Sequence, residues 1–288
     1  MLSPDSQTVL ITGATDGLGR EVAVRLAQLG ATLILHGRDA GKLDATCEEI
    51  RRRTGSTALY PIRADLASLA EVDALADEVL ERFDRLHLLL SNAGVGFGPT
   101  DGPREVSHDG LELRFAVNHL ASWHLARRLT PLLRASAPAR IVAVASAGQT
   151  AIDVDDLLTE TSWDGVTAYR RSKLAQTMAA LDLAEELRGS GVTVNALHPA
   201  TLMDTTMVRD SGTPPRSTLE EGVTATVRLS LDPTLDDVTG GFFDGTQESP
   251  ATVHAQAEDA EVRALVRRRS HELVAEALAA APVGAAQA

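Results

Sequence analysis

Tyr169 and Lys173 lie four residues apart in a segment that could transfer protons. Residues 167–176 contain no Pro or Gly and are rich in Arg, Lys, Leu, Ala and Gln, which favour a helix. On a helix, residues four apart share one face, so the phenol and the ammonium would point into the same space. A cation beside a tyrosine lowers its pKa from about 10. The pair is therefore a candidate acid–base device, although the same spacing also fits a solvated helix face.

A glycine-rich turn between a predicted strand and a predicted helix is the second candidate. Residues 8–12 are a β-branched run typical of a buried strand, and residues 13–19 follow as Gly-Ala-Thr-Asp-Gly-Leu-Gly. Glycine lets the backbone approach a pyrophosphate, and the N-terminus of a helix offers unpaired N–H groups and a positive dipole end. The turn predicts dinucleotide binding, with a purely structural glycine turn as the alternative.

Strand and helix patterns alternate over residues 7–250. Predicted strands lie at residues 32–36, 58–62, 86–90, 140–145, 192–197 and 241–243, and predicted helices at 40–54, 68–83, 109–133, about 169–188 and 219–231. This alternation favours an α/β fold, with a doubly wound and mostly parallel sheet in a single domain. We expect a flexible tail at residues 1–6 and a lid near 201–217. Residues 251–288 are expected to add a C-terminal helix (258–280) and a frayed tail to the same domain.

Chemically useful side chains recur where predicted strands end, and ligands bind at this edge of a doubly wound sheet. The residues concerned are Gly13, Arg38, Asp65 and Asn92. Arg38 could pair with the 2′-phosphate of NADP, whereas an acidic residue there would accept bonds from the ribose of NAD. NADP is therefore preferred. NAD stays open because Asp16 and Asp39 could repel a phosphate, and Arg38 could simply be solvated.

Composition excludes several other classes of protein. The formal net charge of −13 and a pI near 5.0 disfavour binding to nucleic acid or to an anionic membrane. Cys47 is the single cysteine, which suits a reducing compartment, so a cytoplasmic protein is expected. We expect no membrane span, because no apolar run reaches the necessary length, and no signal peptide. The eight histidines are scattered without ligand-like spacing, so no metal site is expected.

Taken together, the chain resembles the short-chain dehydrogenase/reductase family over nearly its whole length. The matches follow the family's order: T-G-x-x-x-G-x-G at residues 12–19, Asp65-Leu66, Asn92-Ala93-Gly94, Asn118, Ser146 and Tyr169-x-x-x-Lys173. The wide interval between Ser146 and Tyr169 and the long C-terminal helix are similar to the retinol-dehydrogenase-like branch. The chain departs from the family at Ala200, where a glycine commonly follows the proline.

The resemblance implies a Rossmann-type oxidoreductase that uses NADP(H) on an apolar carbonyl or alcohol. In this reading Tyr169 exchanges the proton, Ser146 bonds the substrate oxygen and Lys173 holds the nicotinamide ribose. Asn118 would hold a water molecule, or form hydrogen bonds that satisfy the backbone at a helix irregularity, or do both. The implied cofactor contacts are Gly13, Thr15, Asp16, Gly17, Leu18, Gly19, Arg38, Asp65, Leu66, Asn92, Ala93, Gly94, Tyr169, Lys173, Pro199 and Thr201.

Other functions and roles stay open at this stage. An NAD-dependent alcohol dehydrogenase and a non-catalytic dinucleotide-sensing regulator share the same fold, and a homo-oligomer is compatible with the family. His198 is interpreted as structural, whereas Phe97 and Trp163 fit a substrate pocket and core packing equally well. The pocket itself would be built by loops at residues 94–107, 149–166 and 201–217, so the sequence does not identify the substrate.

Overall fold

The computed structural model describes residues 2–98 and 102–281. Met1, three residues of the expected 94–107 loop (99–101) and the expected frayed tail at 282–288 lie outside the described residues. Seven parallel strands of the described chain form one sheet in the order β3-β2-β1-β4-β5-β6-β7. They are β1 Thr8–Ile11, β2 Thr32–Gly37, β3 Leu59–Arg63, β4 Leu88–Ser91, β5 Ala139–Val144, β6 Val192–His198 and β7 Phe242–Asp244. The predicted α/β class is confirmed.

Helices connect the strands and cover both faces of the sheet. They are α1 Gly17–Gln28, α2 Ala40–Thr54, α3 Leu69–Arg82, α4 Ser122–Ala135, α5 Gly165–Glu186, α6 Thr206–Asp210, α7 Leu219–Leu231, α8 Ala255–Glu258 and α9 Ala260–Ala280. Within the described ranges, none of these helices is long and apolar enough to cross a membrane. The same ranges contain no group of three or more His, Cys, Asp or Glu side chains that could hold a metal ion.

Successive side chains of the central strands enter different cores, which is why these strands are mostly apolar. Leu10 of β1 packs into the core under α3, α4 and α5, whereas Val9 and Ile11 pack into the core under α1, α2 and α7. The strand order reverses between β1 and β4. A crevice at the carboxyl ends of these two strands is the expected ligand position in such a sheet.

Several predicted elements differ from those observed. The expected loose tail contains one 3₁₀ turn, Pro4–Ser6. The predicted helix at 109–133 begins with a π-helical segment, Phe115–Ala121, before α4. The predicted C-terminal helix is split at Asp259, whose carboxylate accepts the N–H groups of Glu261 and Val262 and so starts α9 as a cap.

The C-terminal helix α9 is fixed to α5 by charged and apolar contacts. Arg263 donates to Asp182 at 2.7 Å and to Glu185 at 2.9 Å, and Arg267 donates to Asp182 at 2.7 Å. Apolar side chains of α9 join those of α5 and of the π-helical segment in a third core cluster. The segment is therefore packed onto the domain as far as Ala281.

Candidate active site

The glycine turn is shaped by close backbone packing against the end of β4. Gly13 has φ of +66°, and a Cβ at this position would lie 2.9 Å from the Cα of Ala93. A Cβ at Gly19 would lie 2.2 Å from the carbonyl oxygen of Gly13 and 2.5 Å from Nδ2 of Asn92. Neither glycine tolerates a side chain, so both positions consist of backbone alone, and the turn forms a backbone cradle of the kind that a pyrophosphate needs.

Asn92 braces this turn from the neighbouring strand. Its Nδ2 donates to the carbonyl oxygens of Thr12 at 2.9 Å and Gly13 at 3.1 Å. Oγ1 of Thr12 in turn accepts the N–H groups of Asn92 and Ala93, both at 3.0 Å. Both amide hydrogens of Asn92 are thus used inside the protein, so the side chain holds the cradle in shape.

Asp16 caps the N-terminus of α1. Its Oδ1 accepts the N–H of Gly17 at 2.7 Å, and its side chain also bonds Thr206 of α6. Desolvation raises the pKa of this carboxyl, but the two hydrogen bonds and the charges of Arg20 and Lys42 outweigh it and lower the pKa below its usual value. Asp16 is therefore a fixed negative charge at the turn.

Arg38 and Asp65 follow β2 and β3 at the same edge of the sheet. Arg38 is exposed and makes no hydrogen bond or ion pair with any residue in the described part of the chain. Asp65 accepts the N–H of Ala67 at 2.9 Å and lies 3.3 Å from Nε2 of His108, beside the buried Leu66. A guanidinium without a protein partner is thus present where the sequence predicts the phosphate contact.

Tyr169 lies on α5 within hydrogen-bonding reach of Ser146. Asp164 caps this helix by accepting the N–H of Thr167 at 2.8 Å. Ser146 follows β5, and its hydroxyl forms a side-chain hydrogen bond with Tyr169 and accepts the N–H of Gly148 at 3.0 Å. The structure thus brings together the phenol of Tyr169 and the hydroxyl of Ser146. The sequence analysis predicted them as partners although they lie 23 positions apart.

The pKa of Tyr169 differs in direction from the sequence-based expectation, which was a lowered value. Desolvation raises this pKa, and the hydrogen bond with Ser146 only partly opposes the rise. The ammonium of Lys173 lies 6.0 Å from the centre of the phenol ring, and burial lowers the pKa of Lys173 itself to about 7. Near neutrality the amine is therefore only partly charged, which weakens its effect on the phenol.

Lys173 is 4% exposed and has two hydrogen-bond acceptors within the protein. Its Nζ donates to the carbonyl oxygen of Val144 at 2.9 Å and to Oε1 of Gln176 at 3.0 Å. Gln176 was not singled out in the sequence, although it follows Lys173 by three residues and must share its helix face. These two oxygens hold the amine next to Tyr169 and Gly94.

Asn118 lies in the π-helical segment with its side chain fully enclosed. Oδ1 accepts the N–H of Val95 at 2.8 Å, while Nδ2 donates to the carbonyl oxygen of Val95 at 3.1 Å and to Oγ of Ser172 at 2.9 Å. A Cβ on Gly94 would lie 3.0 Å from this Oδ1 and 3.5 Å from Nζ of Lys173. The side chain ties the loop after β4 to α5, and π-helical turns of this kind often occur at functional sites.

Arg114, which the sequence analysis missed, anchors the loop that contacts Tyr169. It is 2% exposed and donates to the carbonyl oxygens of Gly96 at 3.0 Å and Phe97 at 3.2 Å. The ring of Phe97 packs edge-on against Tyr169 with 5.9 Å between centroids, and the guanidinium stacks over Trp163 at 5.0 Å. Of the two aromatic residues left open by the sequence, Phe97 thus contacts Tyr169, and Trp163 packs on the arginine that anchors the Phe97 loop.

Arg114→Leu is expected to destabilise the protein by about 3 kcal/mol, because it leaves the nearly unexposed carboxylate of Glu112 without its buried cation. Urea unfolding monitored by far-UV circular dichroism measures the change. Arg51→Leu removes an exposed ion pair with Glu48 and serves as the control, with an expected loss below about 1 kcal/mol. Equal losses in the two variants would contradict the anchoring role.

Residues 201–217, the expected lid, contain α6 and are closed by a bridge between Met203 and Ser217. A Cβ on Gly17 would lie 3.3 Å from Cγ2 of Thr205, and one on Gly96 would lie 2.8 Å from Cγ of Met207. The segment thus reaches from the glycine turn to the loop after β4, across the crevice between β1 and β4.

The residues at the start of this expected lid are partly engaged within the protein. Oγ1 of Thr201, a predicted cofactor contact, lies 3.1 Å from Nε2 of His198, and Pro199 and Ala200 connect them. His198 is buried, and desolvation lowers its pKa in spite of the nearby Asp244 charge. These contacts fit the structural role that the sequence suggested for His198.

Comparisons with known proteins match most of the chain. A family model described as short chain dehydrogenase matches residues 7–215. The chain is 36% identical to retinol dehydrogenase 13 of Homo sapiens over 287 residues, covering 93% of this chain and 84% of that protein.

Two solved structures share the fold. An uncharacterized protein from Mycobacterium paratuberculosis superposes with a TM-score of 0.76 at 27% identity and covers 94% of each chain. A short chain dehydrogenase from Escherichia coli CFT073, solved with NADPH, has a TM-score of 0.68 at 27% identity and covers 83% of this chain and 96% of its own.

Proposed function

Since this chain belongs to the short-chain dehydrogenase family and is an oxidoreductase, we propose that it moves a hydride between NADP(H) and a carbonyl or alcohol substrate. The observation that carries this proposal is the hydrogen-bonded pair of Ser146 and Tyr169 with the buried amine of Lys173 beside it. This set lies at the carboxyl edge of the sheet, next to the glycine cradle.

The residues of the cradle fit a dinucleotide. Gly13 and Gly19 leave no room for side chains, and the N-terminal turn of α1 has N–H groups without partners inside the helix. When bound, the reduced nicotinamide supplies the hydride. In this proposal the predicted cofactor contacts (among them Thr15, Leu18, Ala93 and Pro199) surround the dinucleotide, and Lys173 holds the ribose hydroxyls.

The protein's own groups handle the proton and the charge on the substrate oxygen. In the reduction, Oη of Tyr169 donates its proton to that oxygen, and in the oxidation the phenolate takes the proton back. The hydroxyl of Ser146 bonds the same oxygen and stabilises the charge that develops on it. Because Ser146 already bonds Tyr169, both groups can reach one substrate oxygen.

The preference for NADP rests on Arg38, whose guanidinium has no partner in the described part of the chain. A charge-assisted, bidentate contact with a 2′-phosphate would satisfy it. The NADPH complex of the related Escherichia coli enzyme is consistent with this choice. The fixed negative charge of Asp16 favours NAD instead, so an NAD-dependent alcohol dehydrogenase is the second candidate.

Arg38→Asp is expected to raise the KM for NADPH about 10- to 100-fold and to change the KM for NADH little, because only NADPH carries the 2′-phosphate. Steady-state kinetics with both coenzymes measure the effect. Arg52→Asp makes the same charge change on an exposed arginine at the far end of α2 and is the control. An unchanged KM for NADPH in Arg38→Asp would refute the phosphate contact.

An apolar substrate is supported by the aromatic side chains of Phe97 and Trp163 and by the similarity to retinol dehydrogenase 13. Initial rates with a panel of ketones, aldehydes, quinones and apolar alcohols, followed by the near-ultraviolet absorbance of the reduced nicotinamide, test both the reaction and its substrate class. Cytoplasmic localisation and self-association stay predictions from the sequence.

A further inference from the structure

His36 connects three strand ends at the candidate dinucleotide site. It is the fifth residue of β2 and is 3% exposed. Its Nδ1 accepts the N–H of Gly13 at 3.2 Å, and its Nε2 lies 3.0 Å from the carbonyl oxygen of Ala64. The backbone oxygen of His36 also accepts the N–H of Ala14 at 2.8 Å. The glycine turn after β1 and the segment after β3 are thus joined through one residue.

These contacts determine the tautomer of the imidazole. A backbone N–H can only donate, so Nδ1 is the unprotonated nitrogen, and a carbonyl can only accept, so Nε2 carries the hydrogen. Burial lowers the pKa of His36 to about 4, against the opposing charges of Asp65 and Glu71, which keeps the ring neutral in the cell's pH range. A neutral imidazole is suited to such a bridge because its two nitrogens offer one acceptor and one donor at fixed positions.

We propose that His36 is a positioning residue for the dinucleotide: it holds the glycine turn that faces the pyrophosphate in register with the Asp65 segment that faces the adenine. The inference rests on the proposed dinucleotide site. By engaging the N–H groups of Gly13 and Ala14, His36 directs these amides into the protein. The ligand would then meet the first-turn amides of α1 that Asp16 does not cap, which follow Gly17.

A general contribution to stability would be a simpler account of the same contacts, and the chain contains a matched control for it. His87 is 2% exposed, and its Nδ1 accepts the N–H of Thr8 at 2.9 Å. His87 therefore accepts a backbone N–H in the same way, but from the first residue of β1, at the opposite edge of the sheet from Gly13. Removing either ring leaves a backbone N–H without its partner, and only His36 lies at the proposed site.

The experiment measures binding of ADP by isothermal titration calorimetry, since ADP contains the adenine and the pyrophosphate but no nicotinamide. His36→Leu is expected to raise the Kd for ADP and the KM for NADPH about 10-fold, with kcat at saturating NADPH within about 2-fold of wild type. His87→Leu is expected to lower Tm, because Thr8 loses its acceptor, while leaving the Kd for ADP within about 2-fold.

A conservative pair of variants covers the case in which His36→Leu does not fold. Asn places an oxygen where Nδ1 lies and Gln places a nitrogen where Nε2 lies, so Asn keeps the acceptor for Gly13 and Gln keeps the donor for Ala64. His36→Asn is expected to bind ADP within about 3-fold of wild type, and His36→Gln more weakly than His36→Asn.

Several outcomes would overturn the inference. These are unchanged ADP affinity in His36→Leu, an equal loss in His87→Leu, and equal affinity in His36→Asn and His36→Gln. Failure of the wild type to bind ADP would overturn it together with the dinucleotide site. A wild type that binds ADP with the expected variant effects but turns over no carbonyl or alcohol would instead refute the proposed reaction alone.

Discussion

Tyr169→Phe is expected to lower kcat about 1,000-fold, because it removes the single group proposed to exchange a proton with the substrate oxygen. The phenol of Tyr169 is largely enclosed by Phe97 and Ser146, so the phenylalanine ring fits the same space. The Kd for NADPH is expected to stay within about 3-fold of wild type, since the cradle at Gly13 and Gly19 is untouched. Stopped-flow turnover and fluorescence titration with NADPH measure the two quantities separately.

Tyr60→Phe is the control for this experiment, because Tyr60 is the chain's other tyrosine and packs on Phe83 at the edge of the sheet. It should retain full activity. If wild type and Tyr169→Phe bound NADPH equally well and were both inert with every substrate of the panel, a non-catalytic dinucleotide sensor would replace the proposed enzyme. A kcat that fell less than about 10-fold would show that another group supplies the proton.

The glycine turn and the Tyr169–Lys173 pair could be predicted because both depend on short stretches of chain. The positive φ of Gly13 and the one-turn spacing on α5 follow from local geometry. The alternation of apolar strands with helices similarly predicted the parallel sheet, since a strand covered on both faces is apolar at every position.

The supporting residues could not be predicted in the same way, because their partners are set by tertiary packing. Arg114 reaches carbonyl groups 17 and 18 residues earlier, and His36 reaches an amide 23 residues earlier. Gln176 is different, since its spacing from Lys173 was a local signal that could have found it. The direction of the Tyr169 pKa was missed because burial, which outweighs the hydrogen bond with Ser146, cannot be read from helix spacing.

Lys173→Met is expected to abolish activity, with a loss of about 100-fold or more in kcat/KM, and yet to stabilise the fold below pH 7. Burial lowers the pKa of Lys173 from 10.5 to about 7, so at lower pH the folded protein contains a desolvated charge. Removing it is expected to gain on the order of 5 kcal/mol. The loss of a donor for Val144 and Gln176 costs about 1–2 kcal/mol, so the gain from desolvation prevails.

The pH dependence of the stability difference between wild type and Lys173→Met identifies the cause of that difference. The unfolded chain keeps a proton on Lys173 up to about pH 10.5 and the folded chain only up to about pH 7. Wild-type stability is therefore expected to rise with pH across this interval relative to Lys173→Met, whose advantage is largest below pH 7 and shrinks towards pH 10.5. Urea unfolding of both proteins at pH 6, 8 and 9.5 measures it, with Lys42→Met, at the exposed and only other lysine, as the control. A stability difference that did not vary with pH would mean that the folded protein does not bury a charged amine at Lys173. It would also contradict the buried position of Lys173 beside Tyr169.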